Sequence, residues 1–223
     1  MLIKDTTYKV QTDIFETENG INIENGAIYL VDNKLKIHID NEINEIPTSK
    51  YKVFTALLTQ GGGDSLSNAN YDNQIPLVIG QSYFIDDNLP IADGGTDFTN
   101  VGAANNDYGT WFIATGTNPI WGANNGFLTY NEGAPIANVL ENTIGNVWFT
   151  YNGEGVYALR SDALFTDKTF MQLSNVTNIN NNSSGSAFIG LGLLESNSQL
   201  TIQSVGLTDG DMYNTPIEIR VYN

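Results

Sequence analysis

Twenty-nine asparagines and 22 glycines among 223 residues occur as short clusters between apolar stretches, and no other feature constrains the fold as strongly. Asn and Gly supply the positive-φ and side-chain-bonded conformations that tight turns need. A chain punctuated this often has room for many short strands and little room for helices of ordinary length. The best helical stretch, Ser161 to Asp167 with Ser161 or Asp162 as its cap, covers barely two turns. The spacing therefore predicts an all-β protein of sandwich or barrel type.

The apolar stretches have the texture of strands. Leu35, Ile37 and Ile39 alternate with Lys36, His38 and Asp40, and a turn at Asp32-Asn33 joins this run to Ala27–Val31. Upstream, Asn19-Gly20 and Asn25-Gly26 flank the minimal alternation Ile21-Asn22-Ile23. The expectation is a β-hairpin with one apolar face in an N-terminal segment, residues 1–48. Two strands cannot bury such a face alone, so Ile21, Ile23, Leu35, Ile37 and Ile39 are the candidate oligomer or attachment positions. After a joint at Ile46–Lys50, Tyr51 to Gln60 reads as a strand apolar on both faces, closed by Gly61-Gly62-Gly63. Further strands are expected at Trp111–Ala114, Lys168–Leu173, Ser186–Leu194, Leu200–Val205 and Ile217–Tyr222, with Ile217, Ile219 and Val221 pointing inward. Asn178–Gly185 reads as an exposed loop, and its two glycosylation sequons are formal matches only.

Composition removes several classes of function. With no cysteine there is no disulfide framework, thiolate nucleophile or zinc ribbon. Twenty-five acids against nine bases give a formal charge of -16, which repels phosphate backbones and argues against nucleic acid. Residues 1–52 hold six of the bases and nine acids, so the remainder carries three bases and sixteen acids, a near-neutral foot under an acidic body. The apolar runs are about half the length a bilayer requires, so no membrane insertion is expected. The first residues also lack the apolar region and cleavage site of a secretory leader.

Candidate chemistry is sparse. His38, the single histidine, sits on the polar side of a strand with no nucleophile motif beside it, so no Ser-His-Asp relay is expected. Asp86, Asp87, Asp93 and Asp97, and the later pair Asp209 and Asp211, offer oxygen ligands but miss the EF-hand spacing and read as turn residues. Gly61–Gly63 lacks the Lys and Ser or Thr of a phosphate loop. No catalytic residue, metal site or cofactor is therefore expected, and the protein is read as a non-enzyme. Trp121, in a polar loop, is the candidate ligand-binding aromatic, with Tyr108 or Tyr130 beside it as a sugar-stacking platform; capping a small core is its competing role.

One stretch carries a resemblance. Thr96, Asp97, Phe98, Thr99, Gly102 and Ala103 form a TDFTxxGA turn, and Gly109, Phe112, Ala114, Thr115 and Gly116 form a GxxFxATG strand. Together they resemble a module of structural virion proteins of tailed bacteriophages, in particular head-fibre-like proteins such as those of crAss-like phages. The phrases at Tyr51–Gln60, Ala137–Gly145, Asn146–Gly153 and Thr215–Tyr222 are similar, in the same order, to segments of that group, and Gly26–Ile46 resembles short β-segments of fibre-attachment proteins. The resemblance implies an antiparallel, jelly-roll-like β-sandwich head over residues 49–223, interrupted at about 77–131 by an inserted β-subdomain. It further implies a homotrimeric head fibre or capsid decoration on the virion surface, contacting other virion proteins through its foot and host-surface glycans through its head. A tail fibre or baseplate appendage, a carbohydrate-binding module and a polysaccharide depolymerase are the alternative readings.

Overall fold

In the computed structural model, residues 28–31, 34–39, 42–45, 50–61, 63–173, 190–204, 209 and 212–222 are described. The chain divides into two units, residues 1–50 and 51–223.

In the first unit, β1 (Ile28–Val31), β2 (Lys34–Ile39) and β3 (Glu42–Glu45) form an antiparallel sheet in the order β1-β2-β3. Val31 pairs with Lys34, as the expected hairpin requires. The third strand was not foreseen, because Glu42–Glu45 has a single apolar residue, Ile43, and so no alternation to read; it is held by main-chain pairing, with Ile43 opposite His38. Leu35, Ile37 and Ile39 occupy alternate positions of β2, the central strand. Ile21 and Ile23 lie outside the described residues, as does the loop at Asn178–Gly185.

The second unit is all-β. In chain order its strands are β4 (Tyr51–Thr59), β5 (Leu66–Asn70), β6 (Ser82–Asp87), β7 (Trp111–Ile113), β8 (Phe127–Asn131), β9 (Ile136–Asn142), β10 (Val147–Gly153), β11 (Val156–Ser161), β12 (Thr169–Leu173), β13 (Gly190–Ser196), β14 (Gln199–Ser204) and β15 (Thr215–Tyr222). Two four-stranded sheets, β12-β15-β4-β9 and β10-β11-β14-β13, face each other as a sandwich. Their inner faces share one core, built from Phe54, Leu58, Phe149, Leu159, Ile202 and Ile219 among others. The alternation expected in the last strand is observed: Ile217, Ile219 and Val221 are buried, while Glu218 and Arg220 stay half-exposed. Each large side chain fully buried in this way contributes about 1.5–3 kcal/mol of hydrophobic stabilisation. β4 and β15 pair along their whole length at the centre of one sheet, so that sheet closes only when the two ends of this unit meet.

A third sheet, β5-β8-β6-β7, carries its own core of Tyr83, Ile85, Phe98, Val101, Phe112 and Leu128. This lobe holds the 77–131 stretch and also draws in β5 from residues 66–70. Its long loop contains two single 3-10 turns, Ile91–Asp93 and Thr99–Val101. No α-helix occurs among the described residues. At Ser161 the hydroxyl accepts the Leu164 N–H at 3.1 Å, as a helix cap would, but Ala163 at φ 59° turns the chain left-handed and no helix follows.

Candidate functional site

The TDFT phrase is the lock of the lobe. Thr96 is fully buried, donating its hydroxyl to the Asn125 carbonyl at 2.8 Å and accepting the Gly122 N–H at 2.9 Å. Asn88 clamps the same turn: its amide donates to the Thr96 and Asn106 carbonyls at 2.8 and 3.0 Å, and its oxygen accepts the Thr96 N–H at 2.9 Å. One oxygen of Asp97 accepts the hydroxyl and N–H of Thr99 at 2.6 and 2.9 Å and the amide of Asn106 at 3.2 Å. The Thr99 hydroxyl, foremost among these donors, holds the Asp97 carboxyl below the usual carboxylate range. The phrase thus uses these polar atoms to close its own loop at Asp97 and to tie that loop to the β7–β8 loop at Thr96. Among the described residues no three His, Asp or Glu side chains converge as metal ligands, and Asp86, Asp87 and Asp93 do not assemble around Asp97.

Asp209 is a second polar node. It accepts the Tyr151 hydroxyl at 2.7 Å, the Tyr157 hydroxyl at 2.9 Å and the Gly155 N–H at 2.9 Å, tying the β10–β11 turn to the segment before β15. Burial raises the Asp209 pKa, but the hydrogen bonds from Gly155, Tyr151 and Tyr157 outweigh it and bring the carboxyl below its ordinary value. The same bond to Asp209 pushes the Tyr151 phenol up to about 12. Asp211, its expected companion, lies outside the described residues.

The three aromatic candidates take different places. Trp121 is half-buried and meets Phe98 edge to face, with centroids 6.1 Å apart, closing the lobe core as a cap. Tyr130 packs against the same core, 4.9 Å from the Tyr83 ring. Tyr108 is exposed and belongs to another set of rings, 5.8 Å from Phe84.

That second set is the feature the linear sequence did not reveal. Phe84 lies 5.0 Å from Trp111, and Trp111 stacks on Trp148 of β10 at 6.0 Å and 6°. The row Tyr108, Phe84, Trp111, Trp148 therefore runs from the lobe onto the sandwich. Strand alternation places Phe84 and Trp111 on the sheet face opposite the lobe core, where their register makes them direct partners. Polar contacts reinforce the junction: the Phe149 N–H donates to Ser82 Oγ at 2.8 Å, and the Asn146 amide donates to the Trp111 carbonyl at 3.0 Å. Trp148 is 8 % exposed, yet its indole N–H has no acceptor among the described residues.

Beside this row a groove of ≈210 Å³ opens between the lobe sheet and β10, lined by Leu66, Ser82, Trp111, Thr129, Asn131 and Thr150 together with four other residues. None of its ten lining residues is charged. Two other depressions, of ≈170 Å³ at Leu57–Leu140 and of ≈340 Å³ at Lys52–Lys168, each include an acidic side chain. No protein-family model matches the chain, and comparison with the curated proteins and with the solved structures found no match.

Proposed function

We propose that this chain is a non-enzymatic structural protein of a phage virion, a homotrimeric head fibre or capsid decoration with its N-terminal unit as the foot and its acidic β-sandwich as the projecting body. The carrying observation is the TDFTxxGA and GxxFxATG phrase at residues 96–116, whose resemblance is to virion proteins. The use its residues make of their polar atoms supports a scaffold role: Asp97 and Asn106 bond within the β6–β7 loop, and Thr96 ties that loop to the β7–β8 loop at Asn125. The carboxylates that shift, Asp97 and Asp209, shift downward, opposite to what a general acid for sugar hydrolysis needs.

Mass spectrometry of purified particles, with electron cryomicroscopy to place the chain, tests the reading. Stoichiometric presence with threefold density at the capsid is the expected result. Density on the tail would replace the decoration role by a tail-fibre role, and absence from particles would overturn the proposal.

A further inference from the structure

We infer that the groove between the lobe and β10 is a binding site for a neutral oligosaccharide. Its lining residues are all uncharged in a chain with 25 acidic residues, which suits a ligand without charge. Of its four aromatic lining residues, Trp111, Tyr130, Phe149 and Tyr151, the half-buried Trp111 has ring neighbours in Phe84 at 5.0 Å and Trp148 at 6.0 Å, so its ring is fixed before any ligand arrives. Around it stand hydroxyl and amide groups whose orientations are also set. Thr150 Oγ1 accepts the Arg160 Nε–H at 3.0 Å, and the Asn131 amide donates to Asp64 at 2.8 Å.

A pyranose presents the complementary pattern, with an apolar C–H face to lie on an indole and equatorial hydroxyls to meet polar groups at its rim. Few, fixed polar groups around an aromatic wall are the general make-up of a small-molecule site, and pre-set side chains lower the entropy cost of binding. Thr129 lies opposite Phe84 across the β6–β8 pairing and brings a further hydroxyl to the groove. Leu66, 82 % exposed, forms its lip. The tryptophan of this groove is Trp111; Trp121 does not line it.

Titration of the purified full chain with malto-, cello-, xylo- and mannohexaose, followed by calorimetry and tryptophan fluorescence, tests the site; polygalacturonate fragments serve as the charged comparison. At least one neutral hexasaccharide is expected to bind with a change in tryptophan emission. Thr129→Arg, which fills the groove from a strand position outside both cores, should weaken that binding about tenfold or more. Leu66→Arg at the exposed lip should weaken it in the same direction and serves if Thr129→Arg does not fold. Tyr213→Ala, exposed and outside the groove, should leave it unchanged. No binding of any neutral hexasaccharide at millimolar concentration, or binding that survives both arginine variants, overturns the inference. The site stands apart from the virion reading: sugar binding by a protein absent from particles overturns only that reading, and a particle protein that binds no sugar overturns only this one.

Discussion

Trp111 of the lobe and Trp148 of the sandwich stack with ring planes 6° from parallel and centroids 6.0 Å apart, a contact between the lobe sheet and β10 that lies outside both hydrophobic cores. Such a pair contributes about 0.5–1.5 kcal/mol beyond the area it buries. A double-mutant cycle on Trp111→Ala and Trp148→Ala in urea unfolding should return a coupling energy in that range. The Trp148→Ala variant alone should lose about 3–5 kcal/mol, since its ring is nearly fully buried. Additive losses would show that the two rings are held independently.

The Thr96 hydroxyl is a donor and an acceptor in a site with no water access. Thr96→Val keeps the volume and strands the Asn125 carbonyl and the Gly122 N–H, which should cost about 1–3 kcal/mol. Hydrogen exchange should report the loss within residues 88–126, leaving the protection of β4 and β15 intact.

Gly95 has no space for a side chain, because a Cβ there would sit 1.8 Å from the Leu89 carbonyl oxygen. The obstacle is backbone, so the loop itself must move. Gly95→Ala should therefore destabilise the lobe by about 1–3 kcal/mol, whereas Gly61→Ala, with nothing near its Cβ, should be close to neutral by thermal unfolding.

Asp209 links stability to pH at the acid end. Its folded pKa lies below the ordinary carboxyl value, so its contribution is complete above the unfolded pKa of about 4 and is lost as pH falls through the folded value. Asp209→Asn should cost about 1 kcal/mol at neutral pH after allowance for solvent screening, and the difference from the parent should vanish in strong acid. Denaturant midpoints measured across that acid range check both statements.

At the alkaline end the Tyr151 phenol, raised from 10.0 to about 12, should ionise late in a spectrophotometric titration. Because the folded pKa is the higher one, the stability it adds is complete below the unfolded pKa and disappears as pH rises through about 12. In Asp209→Asn this titration should move down toward the ordinary value. Tyr83, also near 12 but through burial in the lobe core, should stay where it is.

Asn and Gly clusters determined the fold class, since turns that frequent exclude long helices, and alternation alone identified the inward stripe of Ile217, Ile219 and Val221. Asp97 was also legible as a turn residue, because its partners Thr99 and Asn106 lie within nine positions of it. Periodicity assigns a side chain to a face of its strand, however, and does not say what that face will meet. Trp111 was legible as a strand residue and Phe84 was not singled out; packing of the lobe sheet on β10 made them a row with Trp148 and opened the groove at Thr129 and Thr150. The bonds from Tyr151 and Tyr157 to Asp209 span 58 and 52 residues. Such contacts form only when distant strands pair and the resulting sheets stack, a choice made by the fit of whole faces that no local pattern encodes.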